Sequence, residues 1–292
     1  MKTILEKIIK KIKKLGRADE RYKLIVHLIL LSGVFWMMLP FIWMMSTSVK
    51  ELNQIFITPP KLFPTTIQFG SYKEALEIIP MIKYFFNTFV IVFGRLGGEI
   101  FVSALVAFGF ARFEFPGKKF FFIVLLSLMM MPYEVTMIPT YIFWSKLGFS
   151  DSYLPLIIPS YFGTVTFIFF LRMYYITFPK ALEESAYIDG ASNWQVFWKI
   201  YVPMSKPALI TIGLWSFMGT WNDLLGQLIY INSSAKFTVQ LGLASFSSIT
   251  GGQTPYNALM AASLMALLPI ILTFLFAQKY FVDGIKMSGI KG

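Results

Sequence analysis

Cysteine is absent from this chain, and histidine occurs once, as His27. Disulfide scaffolds, thiolate metal sites, cysteine nucleophiles and histidine clusters are therefore excluded as organising themes. Charge is scarce as well, at 14% of 292 residues, and no G-x-x-x-x-G-K-[ST] phosphate loop is present. The nearest approach, Gly117-Lys118, continues into Lys119 instead of a hydroxyl residue, so the chain is not expected to hydrolyse ATP itself. What fills the composition is apolar: 56% hydrophobic residues, with 31 Phe and 16 Met, and a mean hydropathy of +0.64. Such a chain has lipid as its main solvent. Its net charge of +11 is then a question of sides of a bilayer, not of nucleic acid.

Apolar runs long enough to cross about 30 Å of hydrocarbon cover residues 22–46, 84–110, 120–137, 154–174, 208–229 and 258–281. They predict an all-α integral membrane protein with six transmembrane helices over 22–281. A basic N-terminal segment, 1–21, precedes them and a tail, 282–292, follows. Pro40, Pro132, Pro155, Pro159 and Pro269 fall in or at the start of these runs, which membrane helices tolerate when neighbours satisfy the freed carbonyls. A β-barrel would need short alternating segments, whereas these runs are continuous. Lys50, Lys61, Lys73, Lys83, Lys146 and Lys236 flank three of the connections, and Arg95 lies within the second run. The remainder of the 26 Lys and Arg lie on the other side, which makes both termini cytoplasmic. The opening KTILEKIIKKIKKLG sets Ile4, Leu5, Ile8, Ile12 and Leu15 on one stripe beneath lysines. That pattern suits an anionic membrane surface, or simply sets topology. No small-residue cleavage site follows a short apolar core, so a removed signal peptide is not expected.

Between the fourth and fifth runs, residues 177–207 read as a cytoplasmic helix, turn and helix. Pro179 supplies a fixed φ for a start and Gly190 can take the left-handed conformation that ends a helix. Asn193 is a candidate cap for a second helix with an aromatic stripe of Trp194, Phe197, Trp198 and Tyr201, stopped by Pro203 and Pro207. Composition alone leaves two readings open: a surface read by a partner, or a hairpin lying on lipid.

The residues of this loop resemble a known motif. Glu184, Ser185, Ala186, Asp189, Gly190 and Ala191, followed by Ile200, Pro203 and Pro207, are similar to the EAA loop of bacterial ATP-binding-cassette importer permeases, E-A-A-x-x-D-G-A and then I-x-x-P. Ser185 for Ala is the one departure in the leading triplet. YFFNTFVIV at 84–92, ARFEFPGKK at 111–119, MMPYEVTMIPTY at 130–141, TWND at 220–223 and the ending QKYFVDGIKMSGIKG resemble carbohydrate importers of the maltose-permease type, particularly their second permease subunit. The resemblance implies a bacterial cell-membrane complex of two permeases, two cytoplasmic ATPase subunits that use ATP and Mg, and an extracellular solute-binding protein that delivers a sugar or oligosaccharide. This chain would bind no cofactor. The resemblance also implies that the first loop helix docks in an ATPase groove. Glu184 would pair with a basic ATPase residue, Gly190 would make the turn, and Ala186 and Ala191 would form a close-approach surface beside Ser185 and Asp189.

Candidates for the substrate path come from polar and aromatic groups inside the runs. Arg95 and Glu99 stand at i, i+4 in the second, where a structural ion pair is favoured over contact with solute. Glu134 lies between Pro132 and Pro139. Asn222 and Asp223 can touch substrate or stabilise a kink. Trp215 and Trp221 can stack on sugar rings or serve as packing. A secondary transporter would carry inverted repeats, and no convincing matching halves are found. A membrane enzyme would need a convergent polar constellation, which these dispersed carboxylates do not offer. An importer for glycerol phosphate, polyol or another polar solute is the competing reading.

Overall fold

The computed structural model describes residues 2–289, with side chains for 23–278. The basic stripe expected in 1–21 and the tail 282–292 therefore concern side chains outside the described residues. Every regular element among the described residues is helical. The principal helices are α1 (Lys2–Ser48), α2 (Gly70–Ile78), α3 (Met81–Arg112), α4 (Lys118–Leu128), α5 (Tyr133–Lys146), α6 (Leu154–Ile157) and α7 (Val165–Tyr175). There follow α8 (Ala181–Ile188), α9 (Asn193–Val196), α10 (Val202–Met204), α11 (Lys206–Trp221), α12 (Leu225–Tyr230), α13 (Val239–Ala244), α14 (Phe246–Ile249) and α15 (Tyr256–Gly289).

The chain divides into two compact units, Met1–Ala75 with Pro255–Leu264, and Leu76–Thr254 with Met265–Gly292. In the first, the polar connection after α1 is held by its own side chains. Glu51 accepts from Thr66 and Gln68 at 2.9 and 2.8 Å, and the buried Lys50 donates to the Lys61 carbonyl at 2.6 Å.

In the second unit α3 is the central post, and small residues let neighbours approach it closely. A Cβ at Gly98 would stand 2.9 Å from Ser160 Oγ and from the Tyr161 ring, so only glycine fits there. Further along, Ala104, Ala107 and Phe108 pack with Phe167, Ile168 and Leu171 of α7 and with Ala208 and Ile212 of α11. A second cluster joins Ile91, Trp144, Leu156, Tyr230 and Leu241.

Among the described residues, four helical runs are long and apolar enough to cross a membrane: Lys23–Ser48, Met81–Arg112, Leu154–Tyr175 and Tyr256–Gln278. A fifth is counted if α4 and α5, bent by 93° at their junction, form one span. The bend falls where Met129–Met131 turn into Pro132, which has no N–H to continue a helix. The crossing expected over 208–229 is α11 and α12 with a break between them at Asn222 and Asp223, where stabilising a kink was one of the two expectations. Asn222 donates its side chain back to the Met218 carbonyl at 2.9 Å, and Asp223 accepts from the Gly226 N–H at 2.9 Å. Short polar side chains that bond nearby backbone end one helix and begin the next.

Candidate functional site

Two places in the second unit gather chemistry: a cavity beside α3 and the loop that carries α8. The cavity has a volume of about 550 Å³ and is bounded by α3, α5, α6, α7, α11 and α12. Arg95, Glu99, Trp215 and Asp223 line it together, along with Tyr133, Ser160, Thr220 and Tyr230. Arg95 Nη2 donates to Glu99 Oε1 at 2.9 Å, and the glutamate, nearly fully buried, also accepts from the Ser216 hydroxyl. Two buried polar atoms of the lining, Arg95 Nε and Thr220 Oγ1, have no protein partner. The site thus offers a neutralised ion pair, a second carboxylate, aromatic faces and unused hydrogen-bonding capacity.

The remaining path candidates lie elsewhere. Trp221 is fully buried, donating to the Ala266 carbonyl at 3.2 Å and stacked on Phe217. Glu134 is exposed in the first turn of α5, where a carboxylate suits the helix dipole, and its neighbour Tyr133 faces the cavity instead. Asn222 is exposed and spends its amide on the break after α11. Tyr133 and Tyr230 went unnoticed in the sequence because a tyrosine in a membrane run carries no signal separating cavity wall from interface anchor.

In the loop, Gly190 ends α8 with φ +81°, a conformation that β-branched residues resist. The next helix is capped one residue before the expected position. Ser192 Oγ accepts from the Gln195 N–H, and Gln195 Oε1 accepts from the Ser192 N–H at 2.8 Å, a reciprocal capping box. Asn193 instead accepts from the Tyr187 hydroxyl at 2.8 Å. The run passes through a π-turn at Phe197–Tyr201 and across Pro203 before it breaks at Ser205. The aromatic stripe divides accordingly. Phe197 and Tyr201 are buried, whereas Trp194 and Trp198 are exposed and pack on Phe101.

The two faces of α8 differ sharply. Glu184, Ser185, Ile188 and Asp189 are exposed, with Ile188 86% accessible. Ala186 and Ala191, expected as a close-approach surface, are half-buried and rest in part against the chain's own core. Ala186 shares this face with Glu183, since residues three apart fall on one side of a helix. Glu183 had attracted no attention in the sequence. Its Oε1 lies 3.0 Å from Arg112 Nε in a pair whose side chains are 5% and 10% exposed, and it accepts from the Tyr201 hydroxyl at 2.6 Å. Burial first, and then that carboxylate, push the Tyr201 phenol far above its ordinary range and keep it a donor.

A membrane protein with several apolar spans, a polar and aromatic cavity among its helices and an exposed amphipathic loop helix is of the transport class. A family model, binding-protein-dependent transport system inner membrane component, matches residues 99–287, and the chain belongs to that family. It is 33% identical over 258 residues to the probable ABC transporter permease protein YurM of Bacillus subtilis (strain 168), covering 87% of this chain and 83% of that one. It is 35% identical over 210 residues to the arabinooligosaccharides transport system permease protein AraQ of the same organism, covering 72% and 74%. With the sn-glycerol-3-phosphate transport system permease protein UgpE of Rhizobium meliloti (strain 1021) it shares 30% over 269 residues, 90% and 95% of the two chains. Its fold matches a chain of a bacterial ABC transporter involved in the import of the acidic polysaccharide alginate, with TM-score 0.78 and 24% identity over 91% of this chain and 98% of that one. The protein is accordingly a multi-pass permease component of an ABC importer, and not an enzyme.

Proposed function

We propose that this permease passes an uncharged sugar or oligosaccharide from an extracellular binding protein to the cytoplasm, by alternating access driven by a partner ATPase. A second permease would complete the pathway, and two ATPase subunits would bind ATP and Mg. The chain would cross the membrane six times with both termini cytoplasmic, α11 and α12 forming a broken crossing. The exposed face of α8 would dock on an ATPase subunit, with Glu184 meeting a basic residue. ATP-driven closure would then bias the bundle between inward-open and outward-open states.

The observation that carries the substrate class is the charge of the cavity wall. Arg95 is already neutralised by Glu99, and Asp223 leaves a net negative wall. A phosphate or uronate entering it would meet repulsion from Asp223 and no unpaired cation. An uncharged polyol can donate hydroxyls to Asp223, accept from Arg95 and stack on Trp215, which is 43% exposed. This favours the oligosaccharide reading over the glycerol-phosphate one.

Binding of arabinotriose, maltotriose and sn-glycerol 3-phosphate to the cognate binding protein, followed by uptake into proteoliposomes holding the full importer, tests it. A neutral saccharide should bind and be taken up. Uptake confined to sn-glycerol 3-phosphate would overturn the substrate class. For docking, Glu184→Lys should reduce ATPase co-purification about tenfold, through repulsion in place of attraction. Unchanged association and uptake would remove Glu184 from that role.

A further inference from the structure

Arg112, the last residue of α3, is joined to three other segments at once. Its Nη2 donates to the carbonyls of Tyr175 and Phe178, each at 2.8 Å, where α7 ends. Its Nε lies 3.0 Å from Glu183 Oε1 of α8, a buried ion pair in which the Nε–H is not aligned for a hydrogen bond. Its guanidinium also lies over the Tyr201 ring at 5.2 Å, in the π-turn after α9. Tyr201 closes the loop by donating to Glu183 and by packing edge-on against Tyr175. A cation at helix C-termini is favoured by the carbonyls that no backbone N–H reaches. A planar, five-donor guanidinium can serve those carbonyls and a carboxylate together, which a lysine cannot.

We infer that Arg112 and Glu183 are positioning residues that make α8, α3 and the end of α7 move as one piece, and so carry a displacement of α8 into the cavity wall. Glu183 and Glu184 are adjacent, hence about 100° apart around the helix. One is clamped inward while the other stands outward. From Arg112 back to Arg95 is 17 residues of one continuous helix, about 25 Å, with Gly98 wedged against Ser160 and Tyr161. Motion applied at the clamped end therefore reaches Arg95 and Glu99 without a second contact. The competing route, along the chain into α11, passes through the π-turn and the break at Ser205 and is the softer one.

The inference rests on α8 as the docking element, which Glu184→Lys tests separately. Because the chain has no cysteine, cysteines introduced at Gly97 and Leu228 are its only labelling sites and, with cysteine-free partner subunits, report by spin-label distance on α3 and α12. A Cβ added at Gly97 would meet nothing within 4 Å, and Leu228 is 57% exposed, so both positions accept a label. In the assembled importer, adding ATP should shift this distance in the otherwise native protein. Glu183→Gln and Arg112→Lys should retain the ATPase subunits on purification yet lose at least half of the shift. Tyr201→Phe, which removes a single hydroxyl, should assemble fully and show a smaller loss. An undiminished shift in assembled Glu183→Gln would overturn the inference. If that variant does not assemble, an undiminished shift in Tyr201→Phe overturns it instead.

Discussion

Two arginines of α3 each meet a glutamate, yet the pairs are built for different ends. Arg95 reaches one turn along its own helix to Glu99, keeps 27% of its side chain exposed, and faces a cavity. Arg112 reaches across the fold to Glu183, is 5% exposed, and is enclosed by Tyr175, Phe178 and Tyr201. The first pair lies in the wall of a polar and aromatic cavity. The second fastens a surface helix to the bundle. An ion pair on an α-helix is thus a poor guide to role until its surroundings are known, because desolvation decides how much is lost when one partner goes.

The largest effect should follow from breaking the enclosed pair. Arg112→Ala leaves Glu183 buried and charged and frees the carbonyls that end α7, at a cost of about 3–5 kcal/mol. The amount of folded permease recovered from membranes, and its melting temperature in detergent, should fall together. A melting temperature equal to that of the unsubstituted protein would show that the pair contributes nothing to the fold.

Next comes the cavity pair. Arg95→Gln leaves Glu99 with the Ser216 hydroxyl as its remaining side-chain partner, and should cost about 1–3 kcal/mol. Arg95→Gln with Glu99→Gln removes both charges and should recover most of that stability. Uptake separates the roles. A double variant that assembles and transports marks the pair as structural, whereas full assembly with abolished uptake puts Arg95 in contact with solute.

This contrast also marks what was legible in the sequence. Hydropathy located the apolar runs, because long continuous stretches report burial in lipid directly. The spacing of Arg95 and Glu99 made their pairing readable, since i, i+4 is local geometry. Gly190 was readable for the same reason. Arg112 and Glu183 were not, because their contact spans 71 positions and no local pattern encodes it. Hydropathy also passed over the break at Asn222 and Asp223, which depends on side chains capturing backbone groups and hardly on apolarity. The partial packing of Ala186 against the core was not readable either, for an alanine fits either face of a helix.

A smaller effect probes α8 without touching either pair. Gly190→Val forces a β-branched side chain into positive φ and should cost about 1–2 kcal/mol more than Gly190→Asn. Uptake normalised to the amount of permease should fall accordingly. Equal uptake in the two variants would mean that the turn is not needed for coupling.

The smallest effect belongs to a third carboxylate, more exposed than the other two, and it extends the comparison to pH. Asp151 holds the connection after α5 to the stretch after α12. Its Oδ1 accepts from the N–H groups of Asn232 and Ser233 at 2.9 and 3.0 Å, and its Oδ2 from Lys236 Nζ at 3.0 Å. Hydrogen bonds from Ser233, side chain and then backbone, hold its carboxyl well below the usual carboxylate range. A depressed folded pKa places the contribution above the unfolded value, about 3.9, and removes it as pH falls from there towards the folded value. With a quarter of the side chain exposed, the total should stay under about 1 kcal/mol. Hydrogen exchange of the Asn232 and Ser233 amides, corrected for intrinsic rates, should show constant protection between about pH 7 and pH 5 and a decline below about pH 4. Asp151→Asn should lower the protection at neutral pH and abolish its acid dependence, since an amide does not titrate there. Protection in the unsubstituted protein that holds through about pH 2, or an unaltered acid decline in Asp151→Asn, would show that another group governs this contact.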